Sequence, residues 1–194
     1  MIRLVLIDAL ILGRPRTGEA CSGDAGVVRP MPDGTWVLLV DGLGHGPKAA
    51  TAAALAVDEL SRLAPGLSVV AGLSQIHARL RGSRGAAAIL AFFDERGVTL
   101  AGVGNVEIRA LGPRRLPFMP SNGVVGERMR DLRATQIDLE HNDRFLLYTD
   151  GIVRGTPFDS LLSLDPPSLC ATVLDHHSHA HDDATLIHVI YRGC

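Results

Sequence analysis

The stretch of the chain that decides its fold reads Val37-Leu38-Leu39-Val40-Asp41-Gly42-Leu43-Gly44-His45-Gly46-Pro47-Lys48. Its apolar half predicts a strand that is buried on both faces, and an alanine-rich helix follows the proline. The aspartate at the end of the strand and the three glycines after it bring a carboxylate and bare backbone to one point. Such a corner suits a metal ion or a phosphate group.

The composition places the chain among globular proteins without a strong charge bias. It has 194 residues, 46% of them hydrophobic, with 19 Lys and Arg against 21 Asp and Glu and a net charge of −2. A chain of this size predicts one domain over residues 1–194. The balanced charge gives no reason to expect nucleic acid or a membrane as a partner. Cys21, Cys170 and Cys194 are too scattered for a disulfide framework, so a reducing, cytoplasmic location is expected.

Periodicity and turn signals predict a mixed order of strands and helices without an internal repeat. The predicted strands cover residues 2–12, 24–30, 35–40, 86–93, 98–103, 106–111, 116–119, 133–139, 144–148 and 184–191. The predicted helices run over 47–63 and 68–80 and within 166–176, and the turn after the second strand is assigned to Asp33-Gly34. The order favours an α/β fold of the α+β type, in which two antiparallel sheets pack as a sandwich flanked by helix pairs.

Aspartates stand at strand ends beside glycine or another acid in four places along the chain. They are Asp24, Asp41, Asp150 and the pair Asp182-Asp183. A single Asp-Gly is common turn chemistry, but Asp41 and Asp150 both end strongly apolar strands, where an unpaired buried carboxylate is costly. Hard divalent cations such as Mg²⁺ and Mn²⁺ prefer oxygen ligands, and paired metal sites use several carboxylates. The four places together therefore predict a metal site.

Five motifs carry a resemblance to a known family. They are Ser22-Gly23-Asp24, Asp41-Gly42-Leu43-Gly44-His45-Gly46, Gly102-Val103-Gly104-Asn105, Tyr148-Thr149-Asp150-Gly151 and Asp182-Asp183-Ala184-Thr185-Leu186. In this order and over nearly the whole chain, they resemble the metal-dependent serine/threonine phosphatases of type 2C, the PPM family, and most of all the compact bacterial SpoIIE-like branch. The resemblance implies the αββα sandwich and a phosphoric monoester hydrolase. Many members of this branch have a sensor domain before the phosphatase, and because the first motif begins by residue 22, no sensor domain is expected here.

The resemblance also implies two manganese or magnesium ions at one end of the sandwich. By motif, Asp41 bridges both ions and the carbonyl of Gly42 completes one of the coordination shells. Asp24 serves the site through the first motif, while Asp150 and Asp182 hold the other ion. A water held by the metals is then expected to attack phosphorus without a protein nucleophile.

Two further residues are assigned supporting roles beside the metal ligands. Asp183 is the second acid of the last motif, and His45 lies in the glycine-rich stretch. Eukaryotic members have a histidine directly after their Asp-Gly as a proposed general acid, but Leu43 occupies that position here. His45 therefore does not inherit the acid's role and is either a loop residue or a supporting one. No arginine of this chain matches the phosphate-binding arginine of the eukaryotic enzymes.

The same resemblance implies partners in bacterial stress signalling. The expected substrates are phosphoserine and phosphothreonine on stressosome proteins of the RsbS and RsbR type, with negative feedback on the signal as the result. The alternatives are a phosphorylated anti-sigma-factor antagonist of the RsbV or SpoIIAA type and a catalytically inactive module that binds phosphoprotein.

Two other stretches suggest different chemistry. The glycine-rich stretch after Asp41 lacks both the GxGxxG spacing and the Gly-Lys-Ser/Thr ending of phosphate loops, which disfavours nucleotide binding. Four histidines within residues 176–181 could bind zinc or nickel, although an exposed loop is the simpler interpretation.

Overall fold

The computed structural model describes residues 6–193, so Cys194 and the start of the predicted first strand lie outside the described residues. Eleven strands lie within this range. They are β1 Ile7–Arg14, β2 Asp24–Met31, β3 Gly34–Gly42, β4 Ala86–Asp94, β5 Gly97–Val103, β6 Glu107–Leu111, β7 Gly123–Val124, β8 Arg128–Met129, β9 Thr135–Asp138, β10 Arg144–Tyr148 and β11 Ala184–Tyr191. The helices are α1 Pro47–Arg62, α2 Val69–Arg79 and α3 Pro166–His176, with a short 3₁₀ helix at Phe158–Leu161.

The strands form two antiparallel sheets that pack face to face. One sheet has the order β2-β3-β4-β5-β9 and the other the order β1-β11-β10-β6, while β7 and β8 form a separate hairpin. Apolar side chains from both inner faces share one core, to which Val37 and Ile89 contribute from the first sheet and Phe145 and Ile187 from the second. The predicted sandwich is confirmed, and β3 is buried along nearly its whole length, as its apolar sequence predicts.

Helices cover the outer faces of both sheets. The pair α1 and α2 packs on the five-stranded sheet, where Leu60 and Leu73 join a second core with Trp36 and Leu38. The four-stranded sheet is covered by α3 and the short 3₁₀ helix, where a second pair of helices was expected. None of the helices within residues 6–193 combines the length and the apolar character needed to cross a bilayer.

Local side chains fix the helix ends. Pro47 occupies the first turn of α1, where its missing N–H costs nothing. Ser68 and Asp165 cap the starts of α2 and α3 by accepting hydrogen bonds from backbone N–H groups. At the other end of α1, the Arg29 guanidinium donates to the carbonyl oxygens of Leu60 and Leu63. Helix α1 therefore starts directly behind the glycine-rich stretch and is held at its far end by β2.

The β2–β3 hairpin sets the position of two predicted site residues. Its turn is Pro32-Asp33, one residue earlier than predicted, because Met31 pairs with Gly34. A Cβ on Gly34 would lie 2.4 Å from the carbonyl oxygen of Phe93, so this glycine serves close packing and not the turn. The register that results places Asp24 directly opposite Asp41. Side chains of opposite residues lie on one face of a sheet, so these two acids are neighbours.

The predicted strand at residues 116–119 is wrong. This segment is irregular. Pro117 and Pro120 have no N–H to donate to a sheet, while Leu116 and Phe118 pack against the core between the sheets. The apolar alternation therefore reflected packing and not strand pairing. The short β7–β8 hairpin, which the sequence did not indicate, follows this segment and bridges to the start of β4 through Ala86 and Val125.

Candidate active site

The four predicted acidic places meet at one end of the sandwich. Asp24 opens β2 and Asp41 lies at the end of β3, both in the five-stranded sheet. Asp150 follows β10 and Asp182 precedes β11, two neighbouring strands of the other sheet. The charges of these acids affect one another, since Asp24, Asp150 and Asp182 all raise the pKa of Asp41. The fold thus brings together acids that are far apart in sequence; Asp24 and Asp182 are separated by 158 positions (182 − 24).

Burial and mutual repulsion make these carboxyl groups poor anions on their own. Loss of solvent, followed by the charges of other acids, raises the pKa of Asp24 to about 7, against the lowering effect of a hydrogen bond from Thr149. The same causes raise the pKa of Asp41 to about 9, with a further contribution from a hydrogen bond to Asp150. The pKa of Asp150 is also raised, first by burial and then by Asp182. Each group therefore gains from a nearby positive charge.

The donor set fits a hard divalent cation. Within residues 6–193, no three His, Cys, Asp or Glu side chains are already grouped as closely as a bound metal ion requires. The carboxyl groups of Asp41 and Asp150 instead share a hydrogen bond, which needs a proton between two acids. A divalent cation can take the place of such a proton and offset the repulsion that raises the pKa values. The oxygen-only chemistry of the set suits Mg²⁺ or Mn²⁺.

Thr149 joins the two halves of this site. Its hydroxyl donates to Asp24 Oδ2 at 2.7 Å and accepts from the backbone N–H of Thr185 at 3.0 Å. Thr149 is 1% exposed, so this hydrogen bond has little competition from water. One oxygen of Asp24 is thus held by the opposite sheet. The sequence-based prediction did not assign Thr149, although it stands in the motif directly before Asp150.

The two acids of the last motif differ in their partners. Asp183 is buried, and its two oxygens accept from the backbone N–H groups of Arg16 and Gly23, both at 2.8 Å. Asp182 is more exposed, and one of its oxygens accepts from the backbone N–H of Asp183 at 3.0 Å. Asp183 therefore fixes the loop that precedes Asp24. This difference favours Asp182 as the ligand and Asp183 as its support.

The loop that carries Asp150 is held by its neighbours. The Asn105 amide donates to Asp150 Oδ2, which explains why Asn105 belongs to one of the motifs. A Cβ on Gly151 would lie 1.9 Å from the carbonyl oxygen of Asp183, so only glycine permits the two acidic loops to approach this closely. Asp150 and Asp182 are thus fixed relative to each other through backbone contact.

The histidine-rich segment at residues 176–181 contacts the loops that carry Asp150 and Asp182. His179 donates its backbone N–H to the Gly151 carbonyl at 2.8 Å. The Arg14 guanidinium donates to Ser178 Oγ at 2.7 Å and to the His179 and Asp182 carbonyl oxygens at 2.9 and 3.3 Å. The rings of His179 and His181 lie 5.2 Å apart, without the third ligand that a zinc site would need within residues 6–193. The segment therefore holds the Asp150 and Asp182 loops in place through hydrogen bonds.

His45 contacts Glu19. It is exposed, and its Nδ1 lies 2.9 Å from Glu19 Oε1, in the loop before β2. This pair ties the glycine-rich stretch to that loop. Its supporting role beside the metal ligands stays a prediction.

Structures of known proteins share this fold. One described as "The bacterial stressosome: a modular system that has been adapted to control secondary messenger signaling" is 28% identical, with a TM-score of 0.86 over 94% of this chain and 98% of that one. RsbX in complex with magnesium is 19% identical, with a TM-score of 0.85 over 97% of this chain and 96% of that one. The PPM Ser-Thr phosphatase MsPP from Mycobacterium smegmatis, in complex with cacodylate, is 15% identical, with a TM-score of 0.75 over 97% and 99%. The latter two similarities are of fold alone. The fold is that of the PPM class of phosphatases.

The family follows from the sequence itself. The family model described as Stage II sporulation protein E (SpoIIE) matches residues 31–192, most of the chain. The chain therefore belongs to the SpoIIE family, and it is a serine/threonine phosphatase of the PPM type, as its motifs predict. A comparison with curated proteins gave no match. The matched range begins after Asp24, so the position of that acid comes from the pairing of β2 with β3.

Proposed function

We propose that this phosphatase acts in the cytoplasm on phosphoserine and phosphothreonine of stressosome proteins of the RsbS and RsbR type, as negative feedback on a bacterial stress signal. The observation that carries the proposal is the 28% identical structure described in terms of the bacterial stressosome. That chain and this one match over nearly their full described lengths, with a TM-score of 0.86. The fold shared with RsbX supports the same proposal.

The proposed metal centre consists of Asp24, Asp41, the Gly42 carbonyl, Asp150 and Asp182, with two manganese or magnesium ions. Its support is the convergence of acids: loss of solvent and then the charges of neighbouring acids raise the pKa values of Asp24, Asp41 and Asp150. When bound, divalent ions supply charge stabilisation for the phosphoryl group and activate the attacking water. No side chain of this chain is proposed as a nucleophile.

The chain's own residues orient the ligands. Thr149 holds one oxygen of Asp24, Asn105 holds one oxygen of Asp150, and Asp183 fixes the loop before Asp24. Hydrogen bonds of this kind keep ligating carboxylates in place, and their removal typically lowers metal affinity or activity by about ten- to a hundredfold.

The test is a comparison of phosphoprotein substrates at fixed Mn²⁺ concentration. Phosphorylated proteins of the RsbS and RsbR type and of the RsbV and SpoIIAA type are each offered to the enzyme, and kcat/KM is measured for release of phosphate. A phosphopeptide with the same local sequence as each substrate serves as the matched control, because it keeps the chemistry and removes the docking surface.

The proposal predicts that intact RsbS and RsbR type proteins are hydrolysed at least about tenfold faster than their own peptides, since docking contributes binding free energy. Equal kcat/KM values for all intact proteins would contradict the stressosome assignment. A preference for the RsbV and SpoIIAA type would replace it with the antagonist alternative. Absence of turnover on every substrate, with either metal, would favour the inactive binding module.

A further inference from the structure

Arg84 lies in the loop between α2 and β4, directly beside the glycine-rich stretch that follows β3. The backbone fixes this position, because the Leu43 N–H donates to the Gly85 carbonyl at 3.0 Å. Continued by two residues beyond the last pair, Gly42 and Ala86, the antiparallel register of β3 and β4 places Arg84 opposite Gly44. A cation therefore lies beside the residues that directly follow Asp41 and Gly42.

The guanidinium of Arg84 lies over the glycine-rich stretch. Its Nη1 is 3.5 Å from the Leu43 carbonyl oxygen, and a Cβ on Gly44 would lie 2.5 Å from the same nitrogen. Gly44 also has a φ of +87°, which side chains rarely adopt. The conformation thus favours glycine at this position, and the missing side chain leaves room for the guanidinium over the backbone.

Hydrogen bonds and packing fix the backbone of the loop that carries Arg84. Ser83 Oγ donates to the Leu80 carbonyl at 2.6 Å and accepts from the Gly85 N–H at 3.0 Å. Gly85 packs against Val124 of the β7–β8 hairpin, where a Cβ would lie 2.5 Å from Val124 Cγ1. The backbone of Arg84 is therefore fixed between the glycine-rich stretch and the hairpin.

Arg84 has more free donors than the arginines that are tied to acids or to the acidic loops. Arg79 and Arg109 form ion pairs with acids, and Arg14 makes its hydrogen bonds to the loop of Asp182. Arg84 is exposed and has no ion pair within residues 6–193. A guanidinium has five N–H donors, and the weak contact with Leu43 uses one of them. The remaining donors face solvent.

We propose that Arg84 binds the phosphoryl group of the substrate, a role for which the motifs offered no residue. The proposal rests on the proposed metal centre, because it needs the phosphoryl group to approach Asp41 past Gly44. A phosphate monoester carries up to two negative charges, which a rim of carboxylates repels. The planar fork of arginine matches two phosphoryl oxygens with charge-assisted hydrogen bonds. Arg84 thus attracts and orients the anion that the acids alone would exclude.

The experiment compares Arg84→Ala and Arg84→Lys with wild-type protein. A phosphoserine peptide and p-nitrophenyl phosphate serve as substrates, and inorganic phosphate as a competitive inhibitor. We expect Arg84→Ala to raise the inhibition constant of phosphate and the peptide KM by about ten- to a hundredfold, the range for a charged hydrogen bond. Arg84→Lys keeps the charge without the fork and is expected to lie between the two. The Mn²⁺ concentration for half-maximal activity is expected to stay unchanged.

Arg81→Ala is the matched control, since Arg81 is exposed in the same loop and its side chain makes no hydrogen bond or ion pair within residues 6–193. Binding of inorganic phosphate to the Mg²⁺-loaded protein, measured by calorimetry, gives a readout that does not require turnover. The proposal is overturned if Arg84→Ala binds phosphate as tightly as Arg81→Ala does. An inactive wild-type protein that binds phosphate through Arg84 would contradict the proposed function and leave this assignment standing.

Discussion

The two halves of the acidic site are built differently. Asp24 and Asp41 belong to paired strands of the five-stranded sheet, and the β2–β3 ladder alone makes them neighbours. Asp150 and Asp182 lie in loops at the end of the four-stranded sheet, where Asn105 and backbone contacts hold them. Strand positions are hard to change without disrupting the core, whereas loop positions depend on a few hydrogen bonds. The strand half is therefore expected to supply the permanent part of the metal centre and the loop half the adjustable part.

The largest effect is expected from Asp41→Asn in the strand half. Asparagine resembles a protonated aspartate, and a pKa of about 9 means that Asp41 is mostly protonated at pH 7 without metal. The metal-free variant should therefore unfold at nearly the wild-type temperature, while Mn²⁺-dependent activity falls by about a thousandfold or more because a proposed metal ligand is lost. Thermal unfolding with and without Mn²⁺ and a phosphopeptide assay check both parts. Undiminished turnover would remove Asp41 from the metal centre.

The corresponding change in the loop half, Asp150→Asn, is expected to reduce Mn²⁺-dependent activity less than Asp41→Asn does. Asp150 is exposed and its loop is held by Asn105, so excess Mn²⁺ should restore part of the activity through the remaining ligands. We expect a loss of about a hundredfold at low Mn²⁺ that shrinks as the metal concentration rises, consistent with weakened metal affinity. A metal titration of kcat/KM measures this. An equal and unrecoverable loss in the Asp41 and Asp150 variants would abolish the distinction between the two halves.

Thr149→Val tests the link between the halves. Valine keeps the shape of threonine but removes the hydroxyl that holds Asp24 Oδ2 and accepts from the Thr185 N–H. We expect a loss of about 1–3 kcal/mol in the free energy of unfolding, because a buried N–H loses its partner, and about a tenfold loss of activity from the misplaced ligand. Thr149→Ser retains the hydroxyl and is the matched control, with stability and activity near wild type. Identical behaviour of the two variants would show that the hydroxyl is dispensable.

The smallest effect on activity is expected from His188→Gln, on the outer face of the four-stranded sheet. Burial and then the charge of Arg144, whose guanidinium nitrogens lie 3.3 and 3.4 Å from His188 Nε2, lower the pKa of His188 to about 4. Between pH 6.5 and 4 the unfolded chain takes up a proton that the folded protein does not. This site's contribution to stability is therefore complete above pH 6.5 and falls by roughly 3 kcal/mol as the pH drops to 4.

Urea unfolding of wild type and His188→Gln at pH 7, 6, 5 and 4 isolates this contribution. The difference in unfolding free energy between the two proteins should change with pH in the stated direction. The kcat/KM at pH 7 should stay within about twofold, since His188 makes none of the contacts described for the acidic site. A pH-independent difference between wild type and His188→Gln would show that His188 does not titrate as inferred.

The sequence predicts the regular elements well and the irregular ones poorly. The apolar run of β3 and the helical periodicity of α1 and α2 report burial directly, so these elements lie where they were expected. Residues 116–119 share the composition of a strand, but Pro117 and Pro120 prevent pairing, and only the presence of a core to pack on explains their pattern. Local sequence cannot separate these two reasons for apolar residues.

A similar limit applies to the site. The acids could be recognised because each stands in a motif of distinct composition. The role of Thr149 depends on the approach of β10 to β2. The position of Arg84 depends on the extension of the β3–β4 register. Both contacts join residues that are far apart in sequence, so local sequence does not reveal them. His45, which stands inside the most distinctive motif, instead pairs with Glu19. The local motifs thus predicted which acids meet better than they predicted the residues that hold those acids in place.

The hydrogen bonds that complete the site also constrain the order of folding. The bond from Thr149 to Asp24 joins residues 125 positions apart, and the bond from the Gly23 N–H to Asp183 spans 160 positions. Contacts of such high sequence separation form late, because a long loop must close before they contribute any stabilisation. A chain in which only the five-stranded sheet has formed holds Asp24 and Asp41 but not their partners. Catalytic competence should therefore arise only when β11 is in place, which keeps partly folded chains from acting on phosphoproteins.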